Sequence, residues 1–150
     1  MVRFKYSGRQ EYARFYADEL MARRGEELAA LRADAILPVP IHRSRLLKRG
    51  YNQAELVASR LSKALGVPLR RNILLRVKHT EAQKELGPEE RIRNMQHALK
   101  VRGDLKGLRT VLLVDDIYTT GSTLEACTRV LLAAGVEKVY AVTVCVVSGE

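Results

Sequence analysis

Residues 107–147 run as an apolar stretch, a polar turn, an amphipathic stretch and a second apolar stretch, and this order constrains the fold more than any other feature of the chain. "GLRTVLLVDD" (107–116) reads as a buried strand. "STLEACTRVLLAAG" (122–135) places Leu124, Cys127, Leu131 and Ala134 on one helical face, with Gly135 ending the helix. "VEKVYAVTVCVV" (136–147) reads as a final strand. A strand, a helix and a second strand in this order pack most readily as a crossover joining parallel strands.

The upstream chain continues the alternation. Residues 10–32 carry Tyr12, Phe15, Tyr16, Leu20, Leu28 and Leu31 at near-helical spacing, interrupted by Gly25. "ADAILPVP" (33–40) is a short buried strand stopped by prolines near Val39. "RGYNQAELVASRLSKALG" (49–66) reads as a helix with Ala54, Val57, Leu61 and Leu65 on one face and Gly66 closing it. A strand is expected around Ile73 to Val77. Residues 78–94 then lack an apolar period, although Pro88 with Glu89 and Glu90 suits a first helical turn. A polar stretch of that length in a compact domain suggests a segment that moves or binds. The expectation is one α/β domain over residues 1–150, with a largely parallel sheet flanked by helices.

Composition narrows the partners. Of 26 Lys and Arg against 17 Asp and Glu, ten fall between Arg43 and Lys78, where Glu55 is the single acid. Such a segment suits an anionic ligand or nucleic acid, or simply a solvated basic surface. Only two Phe and six Tyr are present, few for a strip that stacks single-stranded bases. No stretch approaches the ~18 apolar residues of a membrane span, and the first residues lack the apolar core of a signal peptide, so a cytoplasmic protein is expected. Cys127 and Cys145 form no C-x-x-C, and His42, His79 and His97 match no metal spacing, which leaves two buried, reduced thiols as the reading.

The adjacent carboxylates Asp115 and Asp116 need a reason, because like charges in contact repel and folding alone would not select them. In parallel α/β sheets, ligands sit beyond the carboxyl ends of the strands, where helices begin with unpaired backbone N–H groups. Carboxylates accept hydrogen bonds from hydroxyls; the turn at Thr119, Thr120, Gly121, Ser122 and Thr123 offers amides and hydroxyls to an anion. A polyol for the acids and a phosphate for the turn describe a ribose 5-phosphate. A receiver domain would need more chain than the 34 residues after Asp116, and no G-x-x-x-x-G-K-[ST] supports a P-loop. An S-x-x-E capping box of Ser122 and Glu125 explains the helix start, yet leaves the acid pair unexplained.

"VLLVDDIYTTGST" resembles the phosphoribosyl-pyrophosphate (PRPP) binding signature of type I phosphoribosyltransferases. Together with "PVPIHRSRLLKRGYNQAELVA" (38–58), "RVKHTEAQKELGPEERIRNMQHAL" and "FKYSGR", it is similar to the competence protein F (ComF) family over nearly the whole chain. The resemblance implies a parallel sheet flanked by helices, with a small hood and PRPP across the strand ends. It implies that Asp115 and Asp116 contact the ribose 2- and 3-hydroxyls, and that residues 119–123 hold the 5-phosphate. Arg45 and Arg49 would meet the pyrophosphate, with Arg43 and Lys48 behind them; Asn52 and Gln53 could be helix-start residues or ligand contacts. Arg76, Thr80, Gln83, Arg91 and Asn94 would belong to a flexible loop that closes over PRPP and excludes water. Asp115, Asp116 and Arg49 are the expected catalytic set.

The implied chemistry is displacement of pyrophosphate from ribose C1 by a nitrogen base or amine, with Mg²⁺ held through PRPP oxygens and water rather than a protein cage. No residue suggests itself as a general base. The alternative is a non-catalytic accessory of DNA uptake or recombination that keeps a PRPP-type pocket, with single-stranded DNA or DNA-uptake proteins as partners. A homodimer is compatible with either. Family members commonly carry an N-terminal cysteine-rich zinc module; its cysteines are not among these residues, as in a natural short form or a domain trimmed from a longer chain, and functions that depend on it, such as DNA contact, are left open by this sequence.

Overall fold

The structure, a computed structural model, describes residues 11–80 and 85–147. The elements are α1 (Glu11–Ala30), β1 (Ala35–Pro38), α2 (Arg43–Arg49), α3 (Gln53–Leu65), β2 (Leu74–Arg76), α4 (Pro88–Ala98), β3 (Leu99–Val101), β4 (Thr110–Tyr118), α5 (Ser122–Ala133) and β5 (Lys138–Val146). The main sheet has the order β1-β4-β5, and both pairings are parallel: Ala35 lies opposite Val111 and Pro38 opposite Val114, while Thr110 lies opposite Lys138 and Tyr118 opposite Val146. Residues 68–70 cover the outer edge of β1: Ile36 donates to the Pro68 carbonyl and accepts from Arg70 N, so that edge is not left open.

Because successive side chains on a strand face opposite ways, the sheet builds two cores. Leu37, Val111 and Leu113 pack with Ala126, Cys127 and Leu131 of α5 and with Leu74 and Leu99 of the smaller sheet. Ile36, Leu112 and Val114 pack on the other face with Ala13, Ala17 and Leu28 of α1 and Val57, Ala58 and Leu61 of α3. Each fully buried leucine contributes about 1.5–3 kcal/mol, and the small residues of α1 and α3 let those helices approach closely.

The register is fixed at the lower end of the sheet. One Asp34 carboxylate oxygen accepts from Arg109 N at 3.0 Å and Thr110 N at 2.8 Å, and Asp34 N donates to the Thr110 carbonyl. Glu137 N and Lys138 N both donate to the Arg109 carbonyl, which ties β5 into the same corner.

Several expectations are corrected. Helix α1 continues through Gly25; the ~1 kcal/mol cost of an interior glycine is outweighed by burial of Ala13, Ala17 and Leu28 and assisted by the Arg23–Glu19 and Arg24–Glu27 pairs. The expected strand near residue 75 does not join the main sheet: β2 pairs antiparallel with β3, an element the sequence reading lacked. The helical turn at Pro88 extends to Ala98, the helix expected from residue 49 begins at Gln53, and residues 43–49 form a separate short helix, α2. Among the described residues no helix is long and apolar enough to cross a membrane.

Candidate functional site

Strand β4 does not stop at the acid pair but runs on to Tyr118. Alternation therefore sends the two carboxylates to opposite faces, Asp115 with Val111 and Leu113, Asp116 with Leu112 and Val114. Asp116 is 8% exposed; its Oδ2 accepts from Gln53 Nε2 at 3.0 Å and its Oδ1 from Ile117 N at 2.9 Å. Asp115 is half-buried, and its Oδ1 accepts from Asp116 N at 2.8 Å.

Beyond Tyr118 the chain turns into α5 through Gly121, whose φ of 79° is left-handed. A Cβ there would stand 2.7 Å from the Tyr118 hydroxyl and 3.0 Å from its ring. Both the conformation and the contact require glycine. Thr120 and Ser122 share a hydroxyl hydrogen bond of 3.0 Å, and Ser122 N donates to Thr120 Oγ1 at 3.4 Å. Asp115, Tyr118 and residues 119–123 line one small cleft at the start of α5, so the turn and one of the two acids meet there. The expected capping box does not form. Ser122 is already helical, Gly121 is the cap, and Glu125 instead accepts from Arg129 at 2.9 Å. Arg129 also donates to Glu89 of α4 at 2.7 Å, a stronger competitor for Glu125 than a backbone amide. The hydrogen bond from Arg129 holds Glu89 below the usual carboxylate range.

The basic side is built from α2 and the start of α3. His42 Nδ1 accepts from Ser44 N, and Gly50 closes α2 in the left-handed region. Asn52 caps α3 by accepting from Ala54 N at 3.1 Å and pins the segment after β1 by donating to the Val39 carbonyl at 3.0 Å. Arg49 Nη1 donates to Gln53 Oε1 at 3.1 Å, so a chain of bonds runs from Arg49 through Gln53 to Asp116. Arg76 is pushed below the usual guanidinium range first by burial and then by neighbouring Arg45. It donates to Thr80, while its buried Nε has no hydrogen-bond partner among the described residues. A cavity of about 600 Å³ between residues 38–46 and 71–77 is lined by Arg43, Arg71, Arg76 and Arg102, with Glu55 paired to Arg71 at 3.2 Å. The rings of His42 and His79 meet edge to face at 5.5 Å.

The structure thus brings together Asp115 with residues 119–123, Arg49 with Asp116, and Arg45 with Arg76 and Thr80. Arg91, half-buried, and Asn94, exposed, lie on α4; Gln83 and "FKYSGR" lie outside the described residues. Gln53, undecided from sequence, turns out to be 2% exposed. Tyr118 and Arg102 were not singled out at all. No group of three His, Cys, Asp or Glu able to hold a metal occurs among the described residues.

Cys127 is buried as expected, whereas Cys145 is only half-buried. Burial, and next the charge of Asp115, push the Cys127 thiol up to about 12 from 9.0. An acid whose folded pKa is raised favours folding fully below its unfolded value, and that contribution is lost as pH rises from about 9 towards 12. Urea unfolding at pH 8.0 and 10.5 should show a larger alkaline loss of stability for the native chain than for Cys127→Ala, by about 2 kcal/mol over that interval.

Residues 46–149 match the phosphoribosyl transferase domain family. The chain belongs to that family, and its fold is of the type I phosphoribosyltransferase kind. Within it the resemblance is to competence protein F: the chain is 44% identical over 108 residues to that protein from Haemophilus influenzae, covering 71% of this chain and 47% of the relative. It is 33% identical over 146 residues to the DNA utilization protein YhgH of Salmonella typhi, covering 94% of this chain and 63% of the relative. The chain therefore spans about half to two thirds of these relatives' length. Purine phosphoribosyltransferase from Pyrococcus horikoshii superposes with a TM-score of 0.51 at 26% identity, over 85% of this chain and 70% of that one. Orotate phosphoribosyltransferase from Aeropyrum pernix shares the fold, with a TM-score of 0.50 at 19% identity over 93% and 74% of the two chains.

Proposed function

We propose that this chain binds PRPP at the carboxyl end of β4 and transfers its phosphoribosyl group to a nitrogen base or amine, releasing pyrophosphate. The observation that carries the reading is the single cleft shared by Asp115, the left-handed Gly121 turn and the first residues of α5. A dianionic phosphate at that helix start would gain backbone N–H bonds and a favourable dipole, while the neighbouring carboxylates accept from ribose hydroxyls. At the other end, Arg45 and Arg76 repel each other, and an arriving pyrophosphate would relieve that repulsion and neutralise charge on the leaving group. Mg²⁺ would arrive on the phosphates and supply further charge neutralisation there. The cation–anion arrangement orients PRPP, and closure of a loop over it would exclude water.

The names of the competence and DNA utilization relatives favour a second reading, an accessory of DNA uptake that keeps the pocket without catalysis. Calorimetry with PRPP and Mg²⁺ separates the cases. Magnesium-dependent binding is expected, weakened about tenfold or more in Asp115→Asn, because a bond to a charged acceptor is lost. Pyrophosphate release on adding a panel of bases and amines then supports the transferase. PRPP binding without release under any acceptor supports the accessory reading, and failure to bind PRPP overturns both.

A further inference from the structure

We infer that Tyr118 gates the phosphate seat: its ring rests on the Gly121 turn and must swing toward Val146 before a phosphate can enter. The inference rests on the PRPP reading above and adds to it a side chain that controls access to the same cleft. At Gly121 the turn presents a face without a Cβ, and Tyr118 covers that face. The point where a Cβ would stand lies 2.7 Å from the tyrosine hydroxyl and 3.0 Å from Cε2 and Cζ. The cleft lined by Tyr118 and residues 119–123 encloses about 20 Å³, room for about one water and not for a phosphorus with its oxygens. Something must therefore move. Asp115 Oδ1 is tied to Asp116 N at 2.8 Å, Leu124 packs on the core, and the turn residues are themselves the seat. Tyr118, 39% exposed, is the one large exposed side chain in the lining.

The movement belongs to the side chain rather than to the strand. Tyr118 is paired with Val146 at the end of β4, and its carbonyl accepts from Val147 N at 2.9 Å, so its backbone is held. The ring moves by rotation between staggered side-chain positions. Val146 offers it a second resting place: residues paired across a sheet share a face, and Val146 is 66% exposed. An aromatic ring and a β-branched residue side by side on neighbouring strands suit each other. The ring thus has two seats, glycine in the shut position and valine in the open one. A ligand that needs the turn binds only the open form, so its apparent affinity falls in proportion to the open fraction. A ligand that uses only the arginine end is indifferent to the ring.

The test is calorimetry on the full chain with Mg²⁺, using ribose 5-phosphate for the turn and pyrophosphate for the arginine end. Tyr118→Ala is expected to bind ribose 5-phosphate about fivefold more tightly, because every chain is then open. Tyr118→Phe keeps the ring and should stay within about twofold of the native chain. Val146→Ser removes the open seat and should weaken ribose 5-phosphate about threefold, but have no effect once Tyr118 is alanine, since the two residues act as one. Pyrophosphate affinity should not change in any of them. Tyr118→Leu replaces the alanine variant if circular dichroism shows that chain to be unfolded, with the same expected direction. Native-like or weaker binding of ribose 5-phosphate without the ring overturns the inference, as does a Val146→Ser loss that persists without it. A loss in Tyr118→Phe marks the hydroxyl as a ligand contact and overturns it too. In each of these cases PRPP binding by the native chain leaves the PRPP reading standing; if the native chain binds neither PRPP nor ribose 5-phosphate, that reading fails and takes this inference with it.

Discussion

Replacing Gly121 with valine is expected to weaken PRPP binding at least about a hundredfold, equivalent to ~3 kcal/mol. Two effects combine. The backbone at φ 79° costs a residue with a Cβ roughly 1–2 kcal/mol, and a β-branched one more. The added Cβ would also stand 2.7 Å from the Tyr118 hydroxyl, so either the ring leaves or the turn shifts, and the turn's amides no longer converge on one point. Calorimetry with PRPP and Mg²⁺ measures the loss. The double variant Gly121→Val, Tyr118→Ala separates the parts: removing the ring should recover the steric share and leave the conformational one. Because the turn is at the surface, circular dichroism should remain native in both.

Truncating Leu113 to alanine is expected to cost about 2–5 kcal/mol of stability. The side chain is fully buried on the central strand, in the core shared by α5, β2 and β3. Domains of this size have only about 5–15 kcal/mol in hand, so urea midpoints should fall by a large fraction of the native value. Tyr140→Ser, on the edge strand and 39% exposed, should change stability by no more than about 0.5 kcal/mol. A small effect at Leu113 would mean that the core face of β4 is not closed as described.

What could be read in advance followed from periodicity and local chemistry. The alternation of Val111–Val114 with the face of Leu124, Cys127 and Leu131 was enough for the parallel sheet and its helix, and the polarity of residues 115–123 was enough to locate the cleft. Glycine at 66 and asparagine at 52 behave as local signals of a helix end and start. What was illegible depended on distance in the chain. β3 is three residues with a charged centre, and it exists because β2 lies opposite. Glu125 obeyed its partner Arg129 rather than the local capping pattern. The bond from Gln53 to Asp116 spans 63 positions, and no short-range pattern encodes it; the one hint was two adjacent amides at a helix start that also carried apolar periodicity.

The bonds that Asp34 makes to residues 109 and 110, with those from residues 137 and 138 to the Arg109 carbonyl, lie at the pole of the sheet opposite the candidate cleft. The strands are thus kept in step from one end, and the loops at the other end are mechanically independent of that alignment. Insertions, deletions and substitutions at the ligand pole can accumulate without sliding one strand past its neighbour. Such decoupling gives evolution a fixed frame with an interchangeable rim.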